Sequence, residues 1–341
     1  MNRPNAILPA CIAAGILGLS GQAVVAQTTV FSDTFGGSSS TQVSPITPTA
    51  TATTYEYFTQ GVNPTTPTLA SGDMHLVGRT TSITTSEIQA LFTSTPVTLS
   101  TAGQYLNLTI VFTDNQNMFP SGSPSTLDIG LYNSGGVAPN IGARLDTGTY
   151  ATGGGTQLWK GYIARIGGTG GATSAIITRP AQGVVTGGTT SQNQDLLFNG
   201  ASGTASFNDP TGSSVASTGG QLASGLTSGN AYTLSYTITL SAANTLTISD
   251  DLYSGTTANP LNLLISQSGS TSSSPITSYD GLAFGWRLNN GSSLANAADI
   301  NSITVSDNLA PVPEPSVFAL AGLAVAGLAM RYRRARRSVV S

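Results

Sequence analysis

Cysteine and histidine each occur once in the 341 residues, and charged side chains make up only 8% of them. Cys11 falls in the N-terminal apolar stretch, so nothing beyond it offers a thiolate nucleophile, a cysteine-held metal or a disulfide. His75 alone cannot build a multi-histidine zinc site. A Ser-His-Asp triad would have to use it, and no G-x-S-x-G elbow accompanies it. Met74 and Leu76 flank it in a strand pattern, so it reads as a surface or partly satisfied histidine pointing away from them. Long charge runs are absent from the body of the chain. Between Gln27 and Pro311 six basic side chains stand against fourteen acidic ones, a net −8 that makes no nucleic-acid footprint. No repeat of fixed period is present, which sets aside propellers and solenoids.

Apolar and polar side chains alternate instead. Tyr105–Phe112 (YLNLTIVF) and Tyr232–Leu240 (YTLSYTITL) keep period two, the mark of half-buried strands. Further strands are expected over 29–35, 55–59, 74–77, 97–99, 126–132, 158–166, 175–178, 245–249, 261–266, 281–288 and 299–305. β-branched and aromatic residues dominate these runs, and Gly, Asn, Ser and Pro separate them. Ser241–Asn244 is expected to turn one antiparallel strand into the next, and Glu87–Phe92 to form a short helical turn. The low-complexity stretches Gly167–Gly171 and Asn199–Asn230 read as long loops on one domain. The fold class expected is all-β, a two-sheet β-sandwich of jelly-roll type over residues 27–308. Its first strand should pair with its last. Ile300, Ile303 and Val305 break strict alternation, so a bulge is expected near Asn301-Ser302.

Little in this body points to chemistry. Glycoside hydrolysis needs two carboxylates about 5–10 Å apart. Glu56 and Glu87 are the only glutamates before the tail, the aspartates are scattered, and no local motif favours such a pair. Asp250-Asp251 and Asp114-x-x-Asn117 are oxygen-rich, yet neither fits an EF-hand loop, and both read as Asx turns that end a strand. Trp159 and Trp286 sit in strand patterns and read as core rather than as sugar-stacking platforms. Gly153-Gly154-Gly155 and Gly167-Gly168 lack the strand–helix setting of a phosphate loop. No catalytic residue, metal site or cofactor is expected, and the chain reads as a non-enzyme.

The two ends carry clearer signals. Arg3, the apolar stretch Ala6–Leu19 and Val24-Val25-Ala26 form a secretory signal peptide over 1–26, with cleavage expected between Ala26 and Gln27. At the other end Val312-Pro313-Glu314-Pro315 is held extended by its prolines. Ser316–Met330 follows without charge or proline. As a helix it would be roughly 22 Å long, short against a hydrocarbon core of about 30 Å. Arg331, Arg333, Arg334, Arg336 and Arg337 would stay on the cytoplasmic side of the inner membrane.

Pro313-Glu314-Pro315, the apolar run and the arginine cluster, in that order over 309–341, resemble the PEP-CTERM sorting segment of exported bacterial proteins. The resemblance implies recognition of the Pro-Glu-Pro motif by an exosortase at the membrane and cleavage there. It also implies delivery to the cell envelope, surface or exterior. Phe31-Ser32-Asp33-Thr34-Phe35 and Asp299–Val305 are similar to the opening and closing strands of the concanavalin-like jelly rolls found beside such segments. A structural or interaction role in extracellular matrix or biofilm is the first expectation. A carbohydrate-binding module that takes extracellular polysaccharide is the second, and an extracellular glycoside hydrolase the third.

Overall fold

The computed structural model describes residues 27–36, 40–41, 57–60, 68–70, 72–78, 84–137, 156–168, 170, 173–180, 196–197, 213–215, 217–288 and 295–309. The signal-peptide stretch, the Pro-Glu-Pro motif, the apolar run 316–330, the arginine tail and Glu56 lie outside them. Gln27–Asp307 forms one compact unit. Among the described residues no helix is long and apolar enough to cross a membrane.

Nineteen strands are described. They are β1 (Thr28–Asp33), β2 (Ser40–Thr41), β3 (Tyr57–Gln60), β4 (Thr68–Ala70), β5 (Asp73–Gly78), β6 (Thr84–Leu91) and β7 (Val97–Thr98). Next come β8 (Tyr105–Gln116), β9 (Thr126–Asn133), β10 (Lys160–Gly167), β11 (Ala175–Arg179), β12 (Ser213–Val215) and β13 (Ser217–Gly219). The last are β14 (Ala231–Ala242), β15 (Thr245–Ser254), β16 (Leu263–Thr271), β17 (Ser278–Tyr279), β18 (Gly281–Leu288) and β19 (Asn296–Asp307). A ten-stranded sheet runs β13-β16-β15-β14-β8-β19-β5-β4-β2, with β1 also on β19. A seven-stranded sheet runs β12-β11-β10-β9-β18-β6-β3, and β17 and β7 form a small ribbon. The all-β expectation holds.

Period-two patterning puts the apolar face of each large sheet toward the other. Leu106, Leu108, Ile110 and Phe112 of β8 are fully buried, while the residues between them are half-exposed. Phe112 meets Phe284 of β18 across the sandwich, with ring centroids 5.4 Å apart. Tyr236 of β14 donates its hydroxyl to the Tyr162 carbonyl of β10 at 3.0 Å. Both tryptophans are fully buried, as their strand setting suggested. Trp286 points inward and donates to Asn296 Oδ1 at 2.9 Å.

The two chain ends of this unit meet as expected. β1 pairs antiparallel with β19, Thr28 opposite Asp307 and Asp33 opposite Ile303. β19 shifts register against β8 between Ile300 and Ser302, where the irregularity was expected. The extra residue keeps Ile300, Ile303 and Val305 opposite Phe112, Ile110 and Leu108, all on the buried face. The shift also divides the outer edge of β19. Asn296–Ile300 pairs with β5, and Ile303–Asp307 pairs with β1. β14 and β15 form the expected hairpin, turning after Ala242.

Four local readings are corrected. Glu87–Phe92 is not a helical turn, because Glu87–Leu91 lies within β6. There Glu87 and Gln89 are as buried as Ile88 and Ala90, and the helix preference of Glu87, Gln89, Ala90 and Leu91 gives way to pairing with β18 on one side and β3 on the other. Asp250-Asp251 is not a turn but lies inside β15, with Asp250 facing the core. The stretch 199–230 contains β12 and β13, which pass from the edge of one sheet to the edge of the other. Thr156–Leu158 and Pro260–Asn262 are 3₁₀ turns that delay the strands expected there. The second is capped by Asn259, whose Oδ1 accepts from Leu261 N at 3.0 Å.

Candidate functional site

The outer face of the seven-stranded sheet carries the buried Glu87, Asp128 and Arg179. Leu282, Phe284 and Trp286 of β18 point inward, so Gly281, Ala283, Gly285 and Arg287 face out. Their register partners on β9 are Tyr132, Gly130, Asp128 and Thr126. On β10, Gly161, Ile163 and Arg165 stand in the same rows, and on β6, Leu91, Gln89 and Glu87.

The first two rows are covered and, apart from Gln89, apolar. Tyr132, Trp159, Ile163, Leu196, Leu197 and Ala283 form a second core on this face. Trp159 Nε1 donates to the Val137 carbonyl at 2.7 Å, and Tyr132 Oη to the Leu196 carbonyl at 3.1 Å. The fully buried Arg179 donates through Nη1 to the carbonyls of Thr156 and Trp159, which fixes the segment leading into β10. The glycines have a packing reason: a Cβ on Gly281 would lie 2.4 Å from the Trp159 ring, and one on Gly130 would lie 2.4 Å from the Tyr132 hydroxyl.

The next rows are charged. Glu87 and Asp128 both face Gly285, so they stand two strand spacings apart, about 10 Å. That separation is in the range a glycosidase uses, but neither carboxylate is available for it. Glu87 is 1% exposed; it accepts from Leu196 N at 3.0 Å, Leu197 N at 3.3 Å and Gln89 Nε2 at 2.8 Å. Asp128 is fully buried and takes the Arg165 Nε donor at 2.7 Å. Burial raises the Asp128 carboxyl, and the charge of Arg165 opposes the shift. One row further out, burial and the neighbouring Arg165 lower Arg287, while Asp128 supports its charge.

The other candidates from the sequence lie apart from this face. His75 Nδ1 lies 2.5 Å from Asp299 Oδ1 on the ten-stranded sheet, with its side chain 37% exposed, a partly satisfied surface histidine. Asp114 does not end its strand as expected but lies within β8, where its Oδ1 accepts from Met118 N at 3.1 Å, and Asn117 follows the strand at φ 44°. Among the described residues no three His, Cys, Asp or Glu side chains gather closely enough to hold a metal.

Sequence reading missed the site formed by Asp128, Arg165 and Arg287. Each lies in an expected strand, and their signal is parity: all three fall at outward positions of adjacent strands.

Residues 311–334 match the model of the PEP-CTERM protein-sorting motif. The match takes in Pro313, Glu314 and Pro315 and ends at Arg334. The motif marks the chain as an exported protein sorted to the cell envelope. No curated protein matches the sequence. Among solved structures the chain is similar to a peanut lectin, at 12% identity over 83% of this chain and 97% of that one, with a TM-score of 0.36. The Emp47p carbohydrate recognition domain matches at 12% identity over 84% and 98%, with a TM-score of 0.40. An endo-1,3-beta-glucanase from Streptomyces sioyaensis matches at 11% identity over 82% and 96%, with a TM-score of 0.41. Likenesses of this degree carry nothing about ligand or activity.

Proposed function

We propose that the protein is a non-enzymatic component of the cell surface or extracellular matrix, displayed or released after sorting by an exosortase-type enzyme. The observation that carries this reading is the sorting motif over 311–334 on a chain whose body, Gln27–Asp307, is one compact β unit. In this reading residues 1–26 are removed between Ala26 and Gln27, residues 27–308 are the exported body and residues 309–341 the sorting segment. Pro313, Glu314 and Pro315 are what the enzyme reads. The apolar run holds the precursor in the inner membrane, and Arg331, Arg333, Arg334, Arg336 and Arg337 hold its end in the cytoplasm. The engaged states of Glu87 and Asp128 support the non-enzymatic part against a hydrolase. Glu314→Ala is the test. Cells should accumulate a full-length, membrane-bound precursor, while the wild-type envelope protein lacks the arginine tail by C-terminal mass spectrometry. A wild-type mature protein that keeps the tail would end the processing reading.

A second reading, carbohydrate binding, is favoured by the outer face of the ten-stranded sheet. Asn107 Nδ2 reaches Ser235 Oγ at 3.0 Å and Thr237 Oγ1 at 2.8 Å, and Asn107 Oδ1 accepts from Thr109 at 2.8 Å. Such a field of hydroxyls and amides suits contact with a hydrated polysaccharide. A glycan array probed with the purified full chain in detergent tests it; a blank array speaks for the purely structural role.

A further inference from the structure

We propose that Arg287 anchors a site for an acidic saccharide on the outer face of the seven-stranded sheet. Arg287 is half-buried near the end of β18, and its Nε is closed to solvent without an acceptor. An arginine that gives up hydration without gaining a partner is costly to keep, and the cost falls when an oxyanion takes its donors. The nearest carboxylate does not serve it alone. Asp128 Oδ1 accepts from Arg165 Nε at 2.7 Å, so one carboxylate is shared between two guanidinium groups.

The surroundings narrow the ligand further. Thr126 sits directly opposite Arg287 on β9, and its hydroxyl supports the Asp128 carboxylate two residues on along the same face. A hydroxyl and a carboxylate oxygen beside a cation match a ligand that carries hydroxyl groups next to its oxyanion. Sugar acids and sulfated sugars have that chemistry; a bare anion or a neutral glycan supplies half of it. The proposal rests on the carbohydrate-binding reading for the source of the ligand, but it assigns a different face of the sandwich and a named residue.

The test is calorimetric titration of the full chain in detergent with four galactose-based trisaccharides: the uronate, its methyl ester, the 6-sulfate and the neutral sugar. The uronate or the 6-sulfate should bind at least tenfold tighter than the ester and the neutral sugar, and the tighter of the two names the oxyanion. Binding should weaken as salt rises from 50 to 500 mM, because the contact is ionic. Arg287→Gln should melt as the wild type does and lose at least tenfold in affinity, with Arg287→Lys in between. Should Arg287→Gln be unstable, the ester arm still decides, since it alters the ligand and leaves the protein intact. Equal binding of ester and acid, or full affinity in a folded Arg287→Gln, overturns the site while leaving glycan binding standing. Failure of all four sugars overturns the site, and a blank glycan array alongside it removes the carbohydrate reading too.

Discussion

Replacing Asp250 by asparagine should make the protein more stable at neutral and alkaline pH, and the gain should grow as pH rises. Asp250 lies mid-strand in β15, is 1% exposed and is the register partner of Tyr236. Burial raises its carboxyl from 3.8 to about 8; the Gln267 hydrogen bond opposes this, and the charges of Asp251 and Asp128 add to it. The folded protein therefore holds Asp250 neutral at pH 7, while the unfolded chain ionises it. A carboxyl raised by folding contributes its full stability below the unfolded value, near pH 4, and loses it as pH rises toward the folded value, near 8. The loss is about 1.4 kcal/mol per pH unit, so stability falls by about 2.7 kcal/mol between pH 5 and 7 through this residue. Gln267 Nε2 already donates to Asp250 Oδ2 at 3.1 Å, and Asp250 Oδ1 and Gln267 Oε1 are both unpartnered. An amide at 250 can give and take both bonds without a titrating proton. Denaturant unfolding of both proteins at pH 5, 6, 7 and 8, followed by fluorescence of the buried Trp159 and Trp286, measures the difference. A gap between wild type and Asp250→Asn that stays constant across these pH values would refute the reasoning, as would a wild type that gains on the variant with rising pH.

Three further outcomes are expected from the same unfolding assay. Phe112→Ala removes the ring that stacks on Tyr232 at 5.8 Å and meets Phe284 at 5.4 Å, and should cost about 3–5 kcal/mol. Arg179→Met keeps much of the volume but strips the donors from the buried carbonyls of Thr156 and Trp159; a loss of about 2–3 kcal/mol is expected, with Trp159 fluorescence shifting to the red. Glu87→Gln removes one of the oxygens that take the Leu196 and Leu197 amides. It should cost about 1–3 kcal/mol and speed hydrogen exchange at those two amides, while an unchanged exchange rate would mean that Glu87 does not hold that segment.

What could be read from the sequence followed side-chain parity. β8 and β14 each have one polar and one apolar side, so Tyr105–Phe112 and Tyr232–Leu240 announced themselves. The bulge in β19 was legible for the same reason, since Ile300, Ile303 and Val305 share one face only if a residue is inserted. β9 and β18 are buried on both faces, and a strand without a wet side loses the alternation that identifies it. In β9 and β18 enough β-branched and aromatic residues remained to betray the strand; in β6 the helix-favouring Glu87, Gln89, Ala90 and Leu91 outweighed a short alternation. The paired aspartates at 250–251 misled for a related reason. Adjacent acids usually mark a wet turn, yet in β15 one faces out and the other is kept neutral in the core.

Arg287 shows where such reading ends. In sequence it is one of six basic residues in the body, set beside a tryptophan like many surface arginines. Its distinction comes only from pairing: β18 lies next to β9, and Asp128 on β9 is already taken by Arg165 on the strand beyond. Three residues separated by up to 159 positions meet in one patch because three strands adjoin, and which strands adjoin is a property of the topology. Local pattern tells which way each side chain points. Whether a charge that points outward finds a partner there depends on neighbours that only the assembled sheet supplies.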